Sequence, residues 1–183
     1  ITGTAKDLST NNLDLTLPVS NINIGSNIVI DTTPPFVTSI TSSTINGYYK
    51  SGNTINVTIQ FSEPITLIGS MSISLDSGGS VSIGAFTGTQ ANGVYTILPS
   101  QNSNDLRATA INFSGTAKDI AGLNLSTVLP VTNIDVASNI VVDTIAPILT
   151  SFVSSTIDGT YSTGSLINVT MNVSEAVSLV GTM

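Results

Sequence analysis

The sequence contains no cysteine, no histidine and no tryptophan. Without cysteine, neither a disulfide nor a thiolate zinc site can form. Without histidine, the commonest general base and the commonest nitrogen ligand for metals are both missing. Basic residues are scarce as well: Lys6, Lys50, Arg107 and Lys118 are the only four in 183 residues. Spaced as they are, they build no patch for a phosphate backbone or an anionic bilayer, which argues against nucleic acid and membrane surfaces as partners. No apolar run approaches the ~18 residues of a membrane span, and the N-terminus lacks the charged and apolar regions of a signal peptide. The chain is therefore expected to be an interior piece of something longer.

Charged residues make up 8% of the chain, against roughly 25% in an ordinary soluble protein. Ser, Thr and Asn take the place of Lys, Glu and Arg. The displaced residues suit helix surfaces, whereas the Thr, Val and Ile found here suit pleated ones. Composition alone thus predicts an all-β protein. The net charge of −7 comes from sparse acids, nearly all Asp, and such scattered acids point to discrete sites rather than an acidic tail.

The chain repeats itself internally. Gly3-Thr4-Ala5-Lys6-Asp7 recurs as Gly115-Thr116-Ala117-Lys118-Asp119, an offset of 112. At that offset residues 3–71 align without a gap on 115–183, and 37 of the 69 pairs are identical. That level of identity indicates tandem duplication. So long a period does not suit a stacked solenoid unit and does suit a domain with its own core. The expected organisation is the C-terminal strands of one repeat at 1–31, a complete repeat at 32–143 and the N-terminal strands of a further repeat at 144–183. The junctions read SNIVIDTTPP at 26–35 and SNIVVDTIAP at 138–147, each a β-branched run stopped by an acid and a proline.

Within the complete repeat, alternation predicts a first strand over 36–44 and a turn at Ile45-Asn46-Gly47. Residues 53–62 alternate strictly, with Ile55, Val57, Ile59 and Phe61 on one face, and Glu63-Pro64 should end that strand. Further strands are expected over 65–75 with an interruption near Gly69-Ser70, around Val81, Ile83 and Ala85, and over 94–98, 106–113 and 125–142. The expected turns are 76–79 and 90–93, with a loop over 114–124 and a break near Pro130. No helix is expected. Seven strands in about 110 residues fit an immunoglobulin-like sandwich, with a small closed barrel as the alternative.

At these residues the chain resembles the Ig-like, cadherin-like tandem repeats of large bacterial surface adhesins. The matching pieces are the IDTTPP linker, SSTINGYYKSGNTINVTIQFSEPI, and NDLRATAINFSGTAKDIAGLNL closing in SNIVVDT. The family's Asp-x-x-Gly-Asn-type loop appears as Asp119 to Asn124 with one extra residue, and the first copy, Asp7 to Asn12, has no Gly. The resemblance implies tandem immunoglobulin-like β-sandwich repeats in an extracellular array on the bacterial cell surface. It also implies a spacer or adhesive role, and calcium between domains.

Topology gives the calcium expectation specific residues. In an Ig-like strand order, the corners carrying Glu63 and Asp119 lie at the N-terminal pole, beside Asp31. The loop carrying Asp105 lies at the opposite pole, beside Asp143 and Glu175 of the next junction. Calcium takes 6–8 oxygen ligands, which carboxylates and backbone carbonyls can supply. Like charges brought so close repel unless a cation joins them. The same residues also fit a plainer reading, in which Asp31 and Asp143 cap turns before proline and the glutamates accept backbone N–H groups at corners.

Catalysis has little to stand on: there is no histidine base, nucleophile elbow or phosphate loop, so no enzyme activity is expected. Lys6 and Lys118 beside Asp read as solvated ion pairs, and four scattered tyrosines make no sugar-stacking platform. The expected function is a structural spacer or stalk repeat of an extracellular adhesin or surface filament, with neighbouring repeats as partners. The alternatives are a filament subunit that shares strands with its neighbours and a module that binds carbohydrate or a host protein.

Overall fold

The computed structural model describes residues 2–181, most of them in or between β-strands. Behind the linker prolines comes β1 (Val37–Thr41), and past Asn46 comes β2 (Gly47–Tyr49). The strictly alternating run then forms β3 (Thr54–Leu75), at 22 residues the longest strand. It is followed by β4 (Ser80–Ile83), β5 (Phe86–Thr96), β6 (Ala108–Lys118) and β7 (Ile140–Val142). Two single helical turns, α1 (Ile22–Gly25) and α2 (Ile134–Ala137), sit one period apart in equivalent places. The last strands are β8 (Leu149–Ser154) and β9 (Val169–Val173).

The long strand β3 organises the sheet. Its first half lies between β1 and the second half of β5, with Ile40 opposite Ile59 and Tyr95 opposite Ile55. Its second half lies between β4 and β6, with Ile73 opposite both Val81 and Ile111. The register with β5 shifts between Gln60 and Ile65, around Glu63-Pro64. Proline has no N–H to give the ladder, so the pairing slips at that point while the strand itself continues. Further along, Gly69 faces Gly115 across the β3–β6 pair, with φ of +97° and +107°. A Cβ on either glycine would run into the facing strand's carbonyl, at Ser114 or Ile68, so only glycine permits this approach. The strand β7 runs parallel to β2 and exchanges backbone hydrogen bonds with Ser103.

The period-two pattern of β3 is what fills the core. Ile55, Val57, Ile59 and Phe61 from its first half join Ile65, Leu67, Met71 and Ile73 from its second in one buried cluster. Apart from the linker's Pro35, every buried apolar side chain among the described residues lies between Val37 and Val142. Fully burying a side chain of this kind contributes about 1.5–3 kcal/mol.

Several local expectations differ from the structure. Glu63-Pro64 shifts the register of a strand without ending it, because pairing before and after it carries the backbone through. Residues 90–93 form no turn: Gln90 to Gly93 pair in sequence with Gln60 to Val57, and the reversal falls earlier, between β4 and β5. A Cβ at Gly93 would strike Val81, so this glycine serves close packing rather than a turn. The strand expected over 106–113 extends to Lys118 as β6, and the region 125–142 is mostly irregular before β7. It also holds the unexpected turn α2, whose cap Asn133 accepts the N–H groups of Ile134 and Ala108 and donates to the Ala108 carbonyl.

The duplicated segments repeat this geometry locally. The β8–β9 pair reproduces the β1–β3 pairing one period further on, from Leu149 opposite Val173 and with the same register shift. What changes is the surroundings. Ile134 is wholly buried, whereas its counterpart Ile22 is 67% exposed. No helix among the described residues is long and apolar enough to cross a membrane.

Candidate metal centre at the linker

Asp31 ends the β-branched run at the junction, and its Oδ1 accepts the N–H of Thr33 at 2.9 Å. This is the Asx turn expected before a Thr-Pro-Pro sequence. The linker is then fastened to the repeat on two sides. Ser62 N–H donates to the Phe36 carbonyl at 2.9 Å while its Oγ accepts from Phe36 N–H at 3.0 Å. Ser126 N–H donates to the Pro35 carbonyl at 2.8 Å. The first fastening holds the linker beside the part of β3 that carries Glu63, and the second holds it beside the loop that follows Asp119.

The loop after β6 is closed by its own backbone. Leu125 N–H donates to Ala117 carbonyl at 2.9 Å, and Asp119 Oδ1 accepts the Leu123 N–H at 2.8 Å. Asp119 is 7% exposed, and its Oδ2 is buried without a hydrogen-bond partner. A buried acceptor left unpaired costs about 1–3 kcal/mol.

These three elements bring Asp31, Glu63 and Asp119 together, each offering a carboxylate oxygen within 4.8 Å of the others. Burial first, then the charges of Asp31 and Asp119, hold the Glu63 carboxyl above its usual range, with no basic side chain offsetting them. An arrangement of this kind favours a hard cation: three carboxylates supply oxygen ligands, and backbone carbonyls or water complete the 6–8 that calcium takes. Asp119 Oδ2, buried and unpaired, is the donor a cation would satisfy.

The second expected group, Asp105, Asp143 and Glu175, does not gather in this way among the described residues. Asp143 and Glu175 reproduce the linker geometry, with Ile145 N–H on Asp143 Oδ1 and Ser174 bonded to Ile148 as Ser62 is to Phe36. They line one open cavity of about 520 Å³ together with Tyr48, Tyr49 and Lys50. Asp105 is not part of that lining. Its loop does reach the second junction, but through Asn102, whose Oδ1 accepts the Thr144 N–H at 2.8 Å. Leu106, next to Asp105, bonds instead to Ile140 at the start of β7. By the repeat period, Asp143 and Glu175 match Asp31 and Glu63, and the match for Asp119 falls outside the 183 residues.

Sequence reasoning missed Asn102 and the buried polar network at the same pole. Tyr95, 1% exposed, bonds through its hydroxyl to Ser77 Oγ at 2.9 Å and Gln101 Oε1 at 2.8 Å. Nearby, Asp76 accepts from Ser103 Oγ and from Arg107 N–H. The only sequence signal was the polar run 99–105, which gives no hint of which side chain points inward. Comparison with protein-family models, curated proteins and solved structures found no match.

Proposed function

We propose that the chain is part of a tandem array of immunoglobulin-like β-sandwich repeats serving as a spacer or stalk of an extracellular bacterial adhesin or surface filament. In this reading the repeat 32–143 is a mechanical unit, and its partners are the neighbouring repeats of the array. The observation that carries it is the confinement of the buried core to a single repeat, between Val37 and Val142, with a duplicated linker on either side. A unit that closes its own core can be strung repeatedly without depending on the next one, unlike a solenoid repeat. The length of β3 supports a sandwich, since its first half pairs with β1 and its second with β4 and β6 while both halves share a single core.

The same proposal gives the junction a calcium ion held by Asp31, Glu63 and Asp119. Asp31 belongs to the linker and the other two to the repeat, so ligation would fix the linker's direction and stiffen the array. Asp143 and Glu175 stand as two members of the next such site. Small-angle scattering of the chain with millimolar calcium and with EDTA tests this. Calcium should narrow the distribution of interatomic distances and lengthen the particle, and identical profiles would refute the stiffening role.

Strand sharing between chains is a second reading, favoured by the exposure of Ile22, Ile28 and Ile30, whose counterparts Ile134, Ile140 and Val142 are buried. In that arrangement the segment 2–31 pairs with another copy, as an added strand does. It predicts oligomers that grow with concentration and vanish when 1–31 is removed. A chain that stays monomeric at millimolar concentration would refute it.

A further inference from the structure

The two copies of the acidic loop fold alike but treat their aspartate differently. In the first copy Asp7 N–H donates to the Asn11 carbonyl at 3.0 Å, as Asp119 N–H does to Leu123 at 3.1 Å. The Asn11 N–H donates to Asp7 Oδ1 at 2.8 Å, matching Leu123 on Asp119 Oδ1 at 2.8 Å. Even the positive-φ position coincides, with Thr10 at 71° where Gly122 stands at 90°. The loops differ in exposure, Asp7 being exposed where Asp119 is 7% exposed, in a second N–H on Asp7 Oδ1, from Ser9 at 2.9 Å, and in the side chain four places on. Asn11 Nδ2 donates to Asp7 Oδ2 at 2.9 Å, whereas Leu123 has nothing to donate and Asp119 Oδ2 stays unpartnered.

We infer that the residue four places after the loop aspartate, Leu123 in one copy and Asn11 in the other, sets how strongly each repeat's acidic site takes a cation. The inference rests on the proposed cation site at Asp31, Glu63 and Asp119. An oxygen already holding an amide donor has to lose that hydrogen bond before it can ligate. An oxygen that is buried and bare gains its first partner from the ion. Repeats with leucine at this position therefore form tight junctions, and repeats with asparagine form weaker ones. The array carries stiff and compliant joints written by a single side chain. Leu123 is a positioning residue, acting only through Asp119.

The test is calorimetric titration of calcium into the whole chain and its Leu123→Asn and Leu123→Ala variants, with melting in EDTA alongside. Leu123→Asn should weaken binding about tenfold or more, the equivalent of one hydrogen bond to a charged group. Its change in melting temperature in EDTA should be more favourable than that of Leu123→Ala, because only asparagine supplies the missing donor. Leu123→Ala removes the same apolar side chain without adding a donor, and should bind within about twofold of the parent. Equal binding by Leu123→Asn and the parent overturns the inference while leaving the site standing, as does equal weakening by both variants. A parent chain that takes up no calcium overturns the site itself and the inference with it.

Discussion

Replacing Asp119 with asparagine separates the cost of the empty acidic site from its benefit when filled. The Oδ1 position survives in the asparagine, so the 2.8 Å bond from Leu123 N–H, and with it the loop, should be kept. The Oδ2 position becomes an NH₂ group, which removes a buried acceptor without a partner and places a donor in a group whose carboxylate oxygens lie within 4.8 Å of one another. Relief of an unpaired buried acceptor is worth about 1–3 kcal/mol. For a core of this size, with unfolding entropy scaling by residue, each kcal/mol moves the melting temperature by about 4 °C. In EDTA, Asp119→Asn should therefore melt about 4–12 °C above the parent. Calcium at about a hundred times its dissociation constant stabilises the parent by about 2.7 kcal/mol, or about 10 °C, and should leave the variant nearly unmoved. Differential scanning calorimetry of both chains in EDTA and in calcium gives the four numbers required. The reasoning fails if Asp119→Asn melts below the parent in EDTA, or if calcium raises both equally.

Because the folded Glu63 carboxyl is held above its usual 4.5, the native state binds that proton more tightly than the unfolded chain does. Cation-free stability should then fall as pH rises through and just above the ordinary carboxylate range. Glu63→Gln should flatten that slope in denaturant titrations from about pH 4 to 7, and an unchanged slope would contradict the stated cause. Tyr95→Phe leaves Ser77 Oγ and Gln101 Oε1 without their shared partner, and should cost about 1–3 kcal/mol in urea unfolding. Ile134→Ala opens a cavity at a fully buried position and should cost about 2–5 kcal/mol, while Ile22→Ala, at the exposed counterpart, should stay within about 0.5 kcal/mol. Equal costs at the two sites would mean that Ile22 is covered in solution, as strand sharing requires.

Much of the acidic site was legible beforehand because each member sits where the chain announces a change. Asp31 precedes prolines, Glu63 follows the clearest period-two run, and Asp119 lies in a motif that the chain carries twice. Strand direction then places all three at one pole. The second group was misjudged at Asp105 because a loop's path is not periodic. Nothing in the run 99–105 distinguishes Asn102, which meets the linker, from Asp105, which lies beside the strand-bound Leu106. The breaks assigned at Glu63-Pro64 and at 90–93 failed for a related reason. Proline and glycine signal a loss of pairing or of side-chain bulk, and a sheet can absorb either through a register shift or a close contact.

The sequence by itself determined the all-β composition, the repeat period, the alternating face of β3 and the positions of the junctions. These are local or self-referential properties, and periodicity or internal identity is enough to read them. Tertiary structure decided that β3 runs unbroken through Glu63-Pro64, and that Asn102 rather than Asp105 meets the second linker. It also decided that Ile134 packs into the core of the complete repeat, whose strands surround it. Each of these depends on which segments come to lie beside a residue, and identical sequence in different company acquires different burial, partners and charge.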